Sequence, residues 1–389
     1  MVPITSRLVH AAVVAAIAIA SVAVAAPPVL KAKPGVKGKP GAAAVDGKAV
    51  DMAKPVQVFI LLGQSNMVGF GKITGGDGSL ETAVKQKGKY PYLVDAAGAW
   101  IVRPDVRYVQ MMSGKGQLKN EWMTISGNIG PEIGIGHALG DATDAPVMIL
   151  KACIGNRSLG WDYLPPGSER FEADGKVFAG YKDPSDSWAK GTQPQAGGWY
   201  AGKQYDDDTA LAKQVLAQLP TFYPGVARAE VAGFFFWQGE KDGGNAVHAA
   251  RYEQNLVTFI NALRKDFDAP NAPFVLATMG EAVKGAGGPG GMVLAGQLAV
   301  DGATGRHPEF KGNVATVYSN PLSMGGSGNG HYGGNAETYM NVGEAMGQAM
   351  VGLLKAQASA PKVPAKKPPI KKPPVRKVAP KDKAPAAVE

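Results

Sequence analysis

Apolar positions along the chain follow two rhythms. Short, largely apolar runs occur at Val56–Leu62, Val147–Leu150, Val231–Trp237, Phe274–Thr278 and Val314–Tyr318. Runs of this length, rich in β-branched and aromatic residues, predict strands buried on both faces. Between them the spacing changes to three and four. A helix is predicted after Pro131 (Ile133, Ile135, Ala138, Leu139), ending at Gly140-Asp141. Others are predicted over Asp206–Leu219, Ala249–Phe267, 292–303 and Ala336–Leu354. Strands alternating with helices in this way imply βαβ units. The fold class is therefore α/β, a three-layer α/β/α core around a mostly parallel sheet of about five strands. Residues 70–130 break the rhythm and predict long loops with short strands over the sheet's carboxyl edge, and residues 160–205 are expected to be irregular.

The first strand stops at Gly63, and Gln64-Ser65-Asn66-Met67 follow. Glycine permits a sharp exit from the sheet, and open α/β sheets bind ligands at that edge. Ser65 is thus a candidate nucleophile. The plainer alternative is a serine that caps the next helix. No G-x-S-x-G elbow occurs elsewhere in the chain.

Composition changes the picture mainly at the ends. Arg7 and His10 precede the apolar stretch Ala11–Ala25, and Ala23-Val24-Ala25 offers a small-x-small cleavage site. Residues 1–26 therefore predict a signal peptide and an exported protein, a retained N-terminal anchor being the alternative. Residues 27–55 (Pro, Ala, Gly, Lys) predict a flexible linker, and 356–389 (AKKPPIKKPPVRKVAPKDK at its centre) an extended Lys/Pro-rich tail. The folded domain is expected over 56–355. The net charge of +9 sits in these ends: residues 355–389 carry +8, 27–55 carry +4 and Arg7 adds +1, whereas 56–354 carry −4. A nucleic-acid-binding core is not implied. The tail suits either an anionic polymer or membrane surface, or a plain spacer. The one cysteine, Cys153, excludes an internal disulfide and a cysteine-based zinc site, and its apolar setting suits burial.

A serine needs a base with a pKa near neutral. Of five histidines, His10 lies in the signal, His137 and His248 lie on helices, and His307 precedes Pro308 in a loop. His331 stands in the glycine-rich Ser327–Gly334 loop, after the fifth strand and before the last helix. That position returns it to the carboxyl edge, so it is the candidate base.

Three motifs in order, GQSNM at 63–67, WQGE at 237–240 and the His331 loop continuing into Ala336-Glu337-Thr338-Tyr339, resemble the SGNH hydrolases. More narrowly they resemble the sialate O-acetylesterase-like, family 6-like carbohydrate acetylesterases. The likeness covers about 56–354. It implies a flavodoxin-like sheet, no metal or organic cofactor, and a serine esterase acting on O-acetyl groups of a polysaccharide or sialic acid.

Relatives commonly carry Asp three residues before the histidine, and here that position is Gly328. The resemblance leaves Glu240 as the candidate triad acid, with Asp242 and Asp301 as weaker substitutes and a helix-capping role for Glu240 as the alternative. The oxyanion donors it implies are the Ser65 and Gly155 amides and the Gln238 side chain. Asn156 is a further donor, standing with Arg157 where the family loop differs. Gln64 and Asn66 are expected to brace the turn. The loop aromatics Trp161, Tyr163, Trp188, Trp199 and Tyr200 fit a satellite core, or else stacking on sugar rings. Two alternatives stay open. One is a catalytically impaired carbohydrate-binding protein on the same fold, suggested by the missing loop acid. The other is an anchoring protein that works through its basic ends.

Overall fold

A computed structural model describes residues 50–360. The expected signal peptide, all but the last residues of the 27–55 linker, and the tail from 361 lie outside the described residues. Residues 50–55 are held on the body, where Asp51 N donates to Asp144 O (2.7 Å) and Lys54 pairs with Asp144 (2.6 Å).

In chain order the strands are β1 (Val56–Gly63), β2 (Arg103–Met112), β3 (Gly116–Met123), β4 (Val147–Ala152), β5 (Phe171–Ala173), β6 (Lys176–Phe178), β7 (Ser187–Ala189), β8 (Ala229–Trp237), β9 (Phe274–Ala277) and β10 (Val314–Val317). The helices are α1 (Ser65–Val68), α2 (Glu132–Ala142), α3 (Lys203–Ala217), α4 (Leu219–Phe222), α5 (Glu240–Gly243), α6 (Ala246–Asp266), α7 (Gly288–Ala299) and α8 (Ala336–Ser359). The main sheet runs β10-β9-β8-β1-β4-β2-β3, and only β3 is antiparallel. The three-layer α/β/α expectation holds, with seven strands in place of about five.

β1 shows how the layers form. Val56, Val58, Ile60 and Leu62 join the core that also contains Ala212 of α3, Leu256 of α6 and Val293 of α7. Phe59 and Leu61 point the other way, into the core of Ile133 and Ile135 of α2 and Met346 of α8. Successive side chains of a strand alternate between faces, so one apolar run serves two helical layers. Helices α2 and α8 approach closely because glycine lines their contact. A Cβ on Gly134 would lie 2.4 Å from Glu344 N.

Four expectations need correction. The 70–130 region is not mainly loop, since it holds the β2–β3 hairpin at the sheet edge. Its charged residues hid it: Arg103, Asp105 and Arg107 are buried, with Arg103 paired to Asp105 and Arg107 bonded to Asn120. The helix expected over 292–303 is α7 at 288–299, started by Pro289 in its first turn. Irregular 160–205 contains a small antiparallel sheet, β5-β6-β7, whose three-residue strands are too short to show a period. Finally α8 runs to Ser359, past the expected start of the tail, and Gln357 Nε2 bonds to Asn271 O (2.9 Å).

Lys151, fully buried on β4, pairs with Glu132 at the start of α2 (2.5 Å) and donates to Val68 O at the end of α1 (2.9 Å). Breaking a buried pair from one side strands the other charge. Lys151→Met should therefore lower the unfolding free energy by about 3–5 kcal/mol, read from the urea midpoint. Lys151→Met/Glu132→Gln should recover part of that loss, and equal losses in both variants would count against a charge-pairing role.

Candidate active site

Because six of the seven strands run parallel, the carboxyl ends of β1, β4, β8, β9 and β10 share one edge. β1 lies between β4 and β8, where the order of strands reverses, and such switch points open crevices. Ser65 begins α1 directly after β1. Gly63 is required there: its φ is 145° and a Cβ would lie 2.3 Å from Trp237 O.

The turn around Ser65 is clamped from three directions. Tyr163 Oη donates to Gly63 O (2.8 Å) and also bonds to the buried Asp208. Lys151 holds Val68 O from the far end of α1. Between them, Gln64 Nε2 donates to Glu240 Oε2 and Asn66 Nδ2 to Glu240 Oε1 (2.7 Å). The two residues flanking Ser65 thus share one buried carboxylate, a bracing role expected for Gln64 and Asn66.

Asn66 also reaches the histidine loop. Its Nδ2 donates to Gly328 O (3.2 Å), and its Oδ1 accepts from Tyr339 Oη (3.2 Å). His331 N closes the loop onto Gly328 O (2.9 Å), and the His331 ring stacks on Phe70 with centroids 4.0 Å apart and planes 6° apart. His331 itself has φ 52°, a left-handed backbone held by the surrounding turn.

The other described histidines are occupied. His137 is buried against Arg103, and burial together with that charge lowers its pKa to about 3. His248 Nε2 meets Asp186 (2.9 Å), and His307 lies between Glu253 and Glu309. No described carboxylate pairs with the His331 ring.

Three expected roles change. Glu240 makes no bond to His331; its oxygens accept from Gln64 and Asn66 instead. Asp242 accepts from Leu159 N, Gly160 N (both 2.8 Å) and Gln238 Nε2 (2.6 Å), and Asp301 accepts from Thr304 N and Thr316 N, so neither replaces the acid. Gln238 is not a free oxyanion donor. Its two Nε2 protons go to Arg157 O (2.9 Å) and Asp242, while its Oε1 accepts from Tyr252 Oη.

The backbone donors fare better. A Cβ on Gly155 would lie 3.4 Å from Ser65 Cβ, so this loop borders the nucleophile. The Ser65 and Gly155 N–H groups bond to no described residue. Asn156 has φ 57°, and its carbonyl is held by Lys241 Nζ (3.2 Å) and Arg157 (3.1 Å). Sequence reasoning passed over Lys151, Phe70 and Glu281, which accepts from Gly328 N (3.0 Å), and gave Tyr163 no part in holding the Ser65 turn. Only Lys151 carried a signal, a lysine inside the apolar run of β4. Of the aromatics, Trp161 and Trp188 pack with Leu164, Ala179 and Ala201 as a satellite core, and Tyr163 joins the main one. Trp199 instead lies under Arg157 (4.7 Å) and Lys203 (5.2 Å).

Glu240, Glu281 and Asn329 line a cleft of about 340 Å³. Burial first, and the neighbouring Glu281 charge second, raise the Glu240 carboxyl from its usual 4.5 to about 7. The folded chain therefore keeps a proton that the unfolded chain releases near pH 4.5. Stability contributed by that proton is full in acid and is lost as pH rises through about 7, by up to about 3 kcal/mol. The unfolding free energy of the wild type should fall relative to Glu240→Gln between about pH 4.5 and 7 and level off above that. A pH-independent difference between the two would contradict the raised carboxyl.

Comparison with known proteins bears out the resemblance read from the motifs. Residues 185–352 match the family model described as carbohydrate esterase, sialic acid-specific acetylesterase. The matched span includes WQGE and the His331 loop and excludes Ser65. No curated protein matches. Among solved structures, a protein from Arabidopsis thaliana is similar at 16% identity, covering 77% of this chain and 98% of the other, with TM-score 0.44. A carbohydrate acetylesterase from Xanthomonas citri is similar at 13% identity over 77% of this chain and 56% of that one, with TM-score 0.45. NanS is similar at 14% identity over 58% and 68%, with TM-score 0.33. At the coarse level, the family match supports a carboxylic ester hydrolase.

Proposed function

We propose that this protein is an exported serine esterase that removes O-acetyl groups from carbohydrate, a polysaccharide or a sialic acid. The observation that carries the reading is the set of bonds from Asn66 to Glu240, Gly328 and Tyr339. These tie the Ser65 turn to the loop that bears His331.

In this reading Ser65 Oγ attacks the acetyl carbonyl carbon while His331 takes the hydroxyl proton. The carbonyl π electrons move onto oxygen, and the oxyanion faces the Ser65 and Gly155 N–H groups, each worth roughly 10²–10³ in rate. Collapse breaks the ester C–O bond, and His331 returns the proton to the departing sugar oxygen. Water activated by His331 then hydrolyses the acetyl-serine to acetate and free serine. The ring is held by its stack on Phe70 and by the Gly328–His331 turn in place of a paired carboxylate. Such an imidazolium is less stabilised than in a full triad.

The missing acid also favours a second reading, a carbohydrate-binding protein with impaired chemistry on the same fold. Hydrolysis of p-nitrophenyl acetate and of an acetylated sugar separates the two. Ser65→Ala and His331→Ala should each lose about 10³-fold or more in kcat. Rates equal to wild type in both variants would favour binding without catalysis.

A further inference from the structure

Gly328 occupies the position where the family pattern carries the loop acid, and three segments meet on it. Its N–H donates to Glu281 Oε2 (3.0 Å), and its carbonyl accepts from Asn66 Nδ2 (3.2 Å) and His331 N (2.9 Å). A Cβ built on it would lie 2.7 Å from Glu240 Oε1, 2.7 Å from Glu281 Oε2 and 3.1 Å from Tyr332 Oη. Distances below 3.0 Å are essentially never seen for a real Cβ. Two carboxylates from other segments, one following β8 and one following β9, therefore crowd the space that a side chain at 328 would enter. An aspartate at 328 would have to push aside the ends of these two side chains, of which Glu240 is buried and bonded to Gln64 and Asn66.

We infer that Glu281 is a positioning residue for His331: by accepting the Gly328 N–H it anchors the histidine loop from outside, at the point where relatives carry the loop's own acid. Glu281 does not touch the reacting atoms, since its recorded bond is to the backbone. It is an exposed residue, whereas Glu240 beside it is buried. The division of labour follows from that difference. Glu240, satisfied by Gln64 and Asn66, sets the nucleophile turn. Glu281 sets the loop and leaves the core alone, so its loss should disturb the geometry of His331 without unfolding the domain. The inference rests on the esterase reading for its kinetic arm only.

The experiment compares the full-length wild type with Glu281→Ala, Glu281→Gln and Gly328→Asp, by ester hydrolysis and by backbone amide exchange over 327–332. Glu281→Ala should speed exchange across that segment and lower kcat roughly ten- to a hundred-fold, with KM and the urea midpoint nearly unchanged. Glu281→Gln keeps an acceptor oxygen and should restore both readouts to within about three-fold of wild type. Gly328→Asp should lower kcat by displacing the two carboxylates. Wild-type exchange and kcat in Glu281→Ala would overturn the inference, as would a kcat raised by Gly328→Asp. If wild type and Ser65→Ala hydrolyse ester equally, the esterase reading fails, while the exchange measurement still decides the anchor.

Discussion

The buried carboxylate of Glu240 is the constraint on which the site depends. It is enclosed after β8, and both its oxygens are committed to the side-chain amides on either side of Ser65. Burying a carboxylate is costly, and the cost appears as a carboxyl pushed up to about 7. What offsets it is the fixing of a sharp turn that local propensity alone would leave loose, because α1 is only four residues long. Remove that acceptor and the buried Gln64 amide loses its partner, while the Asn66 amide is left with Gly328 O.

Around this centre the WQGE segment acts as scaffold. Gln238 and Asp242 spend their hydrogen-bonding capacity on the backbone of 157–160, and Lys241 holds the carbonyl of Asn156. The loop after β4 is thereby shaped by the loop after β8, across the strand that carries Ser65. One consequence is chemical. With the Gln238 amide already committed, the proposed esterase would meet a developing oxyanion with donors other than Gln238, and backbone N–H groups cost little reorganisation when charge appears. A second carboxylate, Glu281, does for the histidine loop what Glu240 does for the serine turn, from the next strand end along the sheet.

Much of this architecture was legible in the residues alone. Continuous apolar runs such as Phe59–Leu62 and Phe234–Trp237 mark buried parallel strands, because no polar position is tolerated on either face. The order of strand, glycine and serine, and of strand, glycine-rich loop and histidine, places Ser65 and His331 at one sheet edge before any coordinates are known. The β2–β3 hairpin was not legible. Arg103, Asp105 and Arg107 read as surface, and only their partners in three dimensions permit their burial.

The chain by itself therefore determined the layer order and the edge where chemistry can occur, since these follow from side-chain periodicity and strand direction, and it offered Ser65 and His331 as candidates there. Only the tertiary structure decided what each polar group is bonded to. Glu240 and Gln238 have the composition of catalytic groups, yet a carboxylate has only two oxygens and an amide only two protons. Which neighbours claim them is settled largely by packing between separate segments, 176 residues apart for Gln64 and Glu240 and 81 for Arg157 and Gln238, and no local pattern records that competition.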